Sequence, residues 1–161
     1  MPHPAPQPTP AQLRAAIVKE AKALVGIHEV PAHSNTGPPQ VGGVGVRVIQ
    51  SSTGAYGAPW CVSTVQYIWK QVLGTTWAND TANAYYLAEF AHESGRVIPK
   101  PVAGCAVVYH IGQGHAGTVV NYGGASTFSA VEGNEADAVQ VVLRDLRHIA
   151  CTFILRPELH L

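Results

Sequence analysis

Charge is scarce in this chain. Only 12% of its 161 residues are Asp, Glu, Lys or Arg, and ten basic residues against ten acidic ones leave a formal net charge of zero. No basic face is left over for a phosphate backbone or an anionic lipid surface, so neither nucleic acid nor membrane is an expected partner. Long apolar runs are missing as well: no stretch approaches the roughly 20 consecutive apolar residues of a membrane-spanning helix. The opening MPHPAPQPTP has neither the basic start nor the apolar core of a secretory signal, which predicts synthesis in a cytosol. Cysteine is limited to Cys61, Cys105 and Cys151, an odd number at wide spacing. Neither a disulfide framework nor a CxxC metal knuckle fits, and at least one thiol must be free. What is plentiful is apolar residue, 47% of the chain, enough to build one compact domain.

The text of the chain changes along its length. Residues 1–10 carry proline at every second position and read as a stiff extended leader, with residues 11–161 as the domain. Thr9 as N-cap and Pro10 as first helical residue open a helix with Leu13, Ile17, Ala21 and Leu24 on one face, closed near Gly26. Residues 27–59 are dense in Gly, Pro, Ser and Asn and predict a long irregular loop holding at most one short strand or helix. Loops of that length in a small domain are usually functional or disordered. A second helix is expected over about 60–73, ended by Gly74, and a third over about 81–94, ended by Gly95. Beyond Pro101, short β-branched or aromatic runs at 106–109, 117–122, 129–132, 139–142 and 151–155 alternate with glycine-rich turns. Helices first and strands after predict an α+β fold, N-terminal helices packed on a five- to six-stranded antiparallel sheet.

Cys61 stands at the start of the second helix, directly after the long loop. Backbone N–H groups and the positive end of the helix dipole face a sulfur placed there and favour the thiolate, which suits a nucleophile. His115 lies in Gly112-Gln113-Gly114-His115-Ala116-Gly117 at a strand entry, where the flanking glycines let backbone or substrate come close. Glu132 and Asn134 in Val131-Glu132-Gly133-Asn134-Glu135 end the next strand, where a carboxylate or amide can orient an imidazole. Taken singly, each has a bland reading as a packed cysteine or a surface turn residue. Other constellations fail. His28 and His33 resemble a zincin pair, but they are five residues apart with Pro31 between them, so a metalloprotease is excluded. His110 and His115 have no companion at ligand spacing. The glycines at 42, 43 and 45 complete neither a dinucleotide fingerprint nor a P-loop.

Assembled in order, these blocks resemble the CHAP (cysteine, histidine-dependent amidohydrolase/peptidase) domains, papain-like hydrolases found mostly in phage endolysins and bacterial autolysins. The resemblance covers the chain from about residue 12. It is carried by Pro59-Trp60-Cys61 with its following helix, Gly114-His115-Ala116-Gly117, and Glu132-Gly133-Asn134. Supporting it are Gly26-Ile27-His28-Glu29-Val30-Pro31, Ser34-Asn35-Thr36-Gly37 and Ile154-Leu155-Arg156-Pro157. One block departs: Ala103-Gly104-Cys105 stands where the family usually shows Pro-Gly-Asp, so Cys105 is expected to be a buried strand residue. The acidic loop of the calcium-dependent members has no counterpart, and no metal or other cofactor is expected.

The resemblance implies a papain-like, NlpC-type fold and a thiol mechanism. Cys61 is the implied nucleophile, His115 the base and then acid, Glu132 the group orienting the imidazolium, and Asn134 a support for that orientation. Asn35, Tyr56 and Trp60 are candidates for substrate contact, Trp60 having packing of the helix start as its plain alternative. The implied substrate is the peptide part of bacterial peptidoglycan, an endopeptidase being slightly favoured over an N-acetylmuramoyl-L-alanine amidase. A bacteriolytic phage endolysin would be made in the host cytoplasm and act on the wall after release. A monomer is expected, and the absence of net charge makes a separate wall-binding domain a plausible partner. Two rivals stay open: a non-catalytic wall-binding module, and a papain-like amidase acting on a non-wall amide.

Overall fold

In the computed structural model, which describes residues 1–161, the chain up to Thr9 is exposed and without regular structure. Thr9 ends that stretch by chemistry. Its hydroxyl accepts from the Gln12 N–H while the Gln12 side chain accepts from the Thr9 N–H, with Pro10 pre-set for the first turn. Helix α1 (Pro10–Ala23) follows and buries Ile17 and Ala21. Gly26 then takes φ +101° and lets the chain turn to run beside the later hairpin. There the Gly26 N–H donates to Val139, Val139 to Ile27 and Glu29 to Asp137.

The long loop holds one short helix, α2 (Val46–Gln50), within the allowance its composition gave. Helix α3 (Cys61–Leu73) buries every residue from Cys61 to Trp69 and stops at Gly74, whose left-handed φ of +83° breaks the ladder. Helix α4 (Ala84–Glu93) starts three residues later than expected, because Asn83 and not Thr81 supplies the cap, its side chain accepting from the Tyr86 N–H. The strands are β1 (Val97–Ile98), β2 (Ala106–Tyr109), β3 (His115–Tyr122), β4 (Thr127–Glu135), β5 (Ala138–Asp145) and β6 (Cys151–Ile154). They form one sheet in the order β1-β6-β2-β3-β4-β5, every neighbouring pair antiparallel. The molecule is thus an α+β fold of a few helices packed against a six-stranded antiparallel sheet.

The core lies between α1, α3 and α4 and the central strands, and its largest members are Trp60, Trp69, Tyr109 and Phe128, all essentially without solvent contact. Burying a Trp side chain is worth about 4 to 6 kcal/mol at 25 cal/mol per Å², before the entropy of ordering it. Cys105 is fully buried, as expected, but it stands immediately before β2 and not within it, and burial pushes its thiol up to about 12. No helix is long and apolar enough to cross a membrane.

Candidate active site

Helix α3 reaches the sheet at a residue with no side chain. A Cβ on Gly133 would lie 2.0 Å from Thr64 Oγ1 and 3.0 Å from the Trp60 ring, so only glycine lets the first turn of α3 settle onto β4. The Thr64 hydroxyl in turn donates to the Trp60 carbonyl at 2.8 Å. This contact seats Cys61, the first residue of the helix and almost fully buried, beside the start of β3. Its backbone N–H has no acceptor within the helix, because the first four N–H groups of any α-helix have none.

His115 opens β3 directly opposite Tyr109 on β2. Its Nε2–H donates to Glu132 Oε1 at 2.9 Å, with Glu135 Oε2 at 3.3 Å. Nδ1 is then the ring nitrogen left free, and Cys61 is the neighbour that most favours the protonated imidazole. Burial pulls the His115 pKa down, but its neighbours, the Cys61 sulfur and the hydrogen-bonded Glu132 carboxylate, more than reverse this and push it up to about 9.

Glu132 has no exposed surface at all. It accepts from Tyr109 Oη at 2.6 Å and Arg144 Nε at 3.0 Å, as well as from a second Arg144 N–H and from His115. Burial acts to raise its pKa, yet the bonds from His115, Arg144 and Tyr109 prevail and hold the carboxyl below its ordinary value. The close fit depends on Gly117, where a Cβ would come within 2.7 Å of Glu132 Cγ. The Tyr109 ring stacks between His115 and Phe128, at centroid distances of 5.8 and 6.4 Å, and Arg144 Cζ sits 4.7 Å from its centre. Burial and the Glu132 charge push the Tyr109 phenol strongly upward, so it keeps the proton that it donates to Glu132.

A cleft of about 470 Å³ opens beside Cys61 between Ala58-Pro59, the 81–84 segment and Gln113-Gly114. Its lining has three small alanines and a glycine, the polar Thr81, Asn83 and Gln113, and no charged residue. Two buried glutamines brace its walls. Gln66 on α3 accepts from the Trp77 N–H at 2.9 Å and donates to the carbonyls of Trp77 and Thr81 at 2.7 and 3.2 Å. Gln50 on α2 donates to the carbonyls of Asn35 and Ala58 at 2.8 and 2.9 Å.

Of the residues singled out by sequence, Cys61, His115 and Glu132 converge. Asn134 does not join them: it occupies a bulge between β4 and β5 with a left-handed φ of +58° and forms no side-chain hydrogen bond with His115. Glu135, one residue on, takes the position beside the imidazole. The three residues named for substrate contact lie in three different settings. Trp60 is fully buried and packs the helix start, so it offers substrate no surface. Tyr56 is half exposed under the Arg47 guanidinium and lines a different hollow with Pro38 and Pro39. Asn35 braces its own loop, its N–H donating to Glu29 and its carbonyl accepting from Gln50. Sequence reasoning passed over Tyr109, Glu135 and Arg144. A charged residue inside the apolar run Val139-Gln140-Val141-Val142-Leu143-Arg144 was the available signal, since an arginine there requires a partner. His115, Glu132 and Glu135 place ligand atoms within 4.8 Å of one another, the spacing of a small metal site. The Arg144 guanidinium already bridges the two carboxylates, so this set carries an internal cation. Compared with known proteins, the sequence matches no family model and no curated protein.

Proposed function

We propose that this chain is a papain-like peptidoglycan hydrolase of the CHAP type, cleaving an amide bond of the wall peptide by a thiol mechanism. The observation that carries the reading is the convergence of Cys61 at a helix start, His115 as its neighbour on β3, and Glu132 bonded to Nε2 of the same imidazole. The thiolate of Cys61 attacks the amide carbonyl, and the developing oxyanion is met by the free backbone N–H at the start of α3. Imidazolium Nδ1–H gives its proton to the leaving amine, and the C–N bond breaks to leave a thioester. His115 then takes a proton from water, the resulting hydroxide adds to the thioester carbonyl, and the acid product departs as the thiolate re-forms. Throughout, Glu132 holds Nε2–H and keeps the ring aimed.

The small, uncharged lining of the cleft supports a peptide substrate with short side chains such as alanine. An endopeptidase is favoured over an N-acetylmuramoyl-L-alanine amidase, with a separate wall-binding module supplying the affinity that a chain of zero net charge lacks. The test is mass spectrometry of fragments released from purified peptidoglycan by the wild type and by Cys61→Ala. New amino termini from the wild type and none from the variant are expected, and they identify the bond. Equal release by both, or none by either, overturns the reading in favour of a binding module or a non-wall amidase.

A further inference from the structure

We propose that Arg144 is a positioning residue of this site: its guanidinium holds the Glu132 carboxylate in its ionised form and aims it at His115 Nε2. The proposal rests on reading Cys61 and His115 as the working pair. Arg144 on β5 stands in register with Phe128, two same-face steps along β4 from Glu132. The intervening residue on that face is Ala130, small enough for the arginine side chain to lie along the sheet and across the Tyr109 ring. At its end, Nε reaches Oε2 at 3.0 Å and a second N–H reaches Oε1, a fork over both carboxylate oxygens.

The need for this cation follows from burial. Glu132 has no contact with water, and an ionised carboxylate so placed requires a fixed opposite charge. His115 cannot be that charge through a whole turnover, because it hands its proton to the leaving amine. Arg144 keeps its proton at every working pH, so it stays constant while His115 cycles. It also offsets part of the carboxylate's pull on the imidazolium proton. The groups facing His115 are Cys61 from α3, Tyr109 from β2, Glu132 and Glu135 from β4, and Arg144 from β5. Arg144 is the only permanent cation among them, and it also lies 3.5 Å from Glu135.

The experiment follows the His115 ring by NMR titration, and turnover on peptidoglycan, in full-length wild type, Arg144→Lys and Arg144→Gln. With the cation displaced or removed, the buried Glu132–His115 pair loses the fixed positive charge that opposes its shared proton, and the pair holds that proton more tightly. The His115 midpoint is therefore expected to rise in the order wild type, Lys, Gln, by about half a pH unit or more for Gln. The kcat of Arg144→Gln should fall by about 10- to 100-fold, the usual loss when a group that orients a functional histidine is removed. KM should change by less than about threefold, and Lys should recover part of the rate. An unmoved midpoint in every variant that folds, Lys alone if Gln does not, overturns the proposal whatever the rates. A wild type inactive on all wall substrates overturns the proposed function instead, and the titration still decides the role of Arg144.

Discussion

Gly133 decides where the thiol sits. Its φ is one that any residue adopts, so the requirement for glycine is purely steric, set by Thr64 and Trp60 on α3. Gly133→Ala forces the helix start and β4 apart, an overpacking that should cost roughly 1 to 3 kcal/mol in urea unfolding. The larger consequence is functional, since a shift of about 1 Å between Cys61 and His115 is enough to cost on the order of 10²-fold in rate. A folded Gly133→Ala with wild-type stability and wild-type turnover would show that the contact does not set the geometry. At this scale the sequence was most legible where chemistry is local. Cys61 after a loop, His115 between glycines and Glu132 before a glycine each stand out within five residues of text. Tyr109 and Arg144 do not, because each acquires its meaning only from a strand pairing that brings distant residues together. Trp60 stayed open between substrate contact and packing for the same reason: the residue beside a nucleophile can face the core, and only the packing on Gly133 says that it does.

The elements were read best where their ends carry a mechanism. The Thr9 cap, the Gly74 stop and the five longer strands fall within a few residues of expectation, because caps and β-branched runs act locally. Strand β1 was missed, being two residues that exist only by pairing with β6. Less legible still is how α3 organises the cleft, since Gln66 reads as a polar interruption of an apolar helix. In the fold it has no solvent contact and ties the 77–81 segment to the helix by three hydrogen bonds. Gln66→Leu keeps the volume and removes all three partners, leaving a backbone N–H and two carbonyls to find others. The expected loss is about 1 to 3 kcal/mol in urea, accompanied by faster proteolysis between Thr75 and Asn83 and a raised KM. Unchanged proteolysis in that segment would mean that its own turns hold the cleft wall.

At the scale of the molecule, the buried His115–Glu132–Arg144 cluster makes stability depend on pH in a defined sense. Glu132 binds its proton more weakly when folded than its ordinary value of 4.5 implies, so it contributes stability above that pH and loses it as pH falls through the lower folded value. His115 binds its proton more tightly, at about 9 against 6.5, so its contribution is complete below about 6.5 and drains away as pH rises through about 9. Both act fully only between about 4.5 and 6.5, where the urea midpoint should be highest. Function asks for a different window. The imidazolium must survive to protonate the leaving amine, so turnover should hold to near pH 9 and fall above it, well beyond the stability maximum. Cys61 is the strongest of the influences that raise the His115 pKa. In Cys61→Ala the alkaline loss of stability should therefore begin at the same pH, about 6.5, and be complete at a lower pH than in the wild type. Urea midpoints measured from pH 5 to 10 for both proteins check this, and superimposable alkaline limbs would mean that the thiol and imidazole are not coupled in the folded chain.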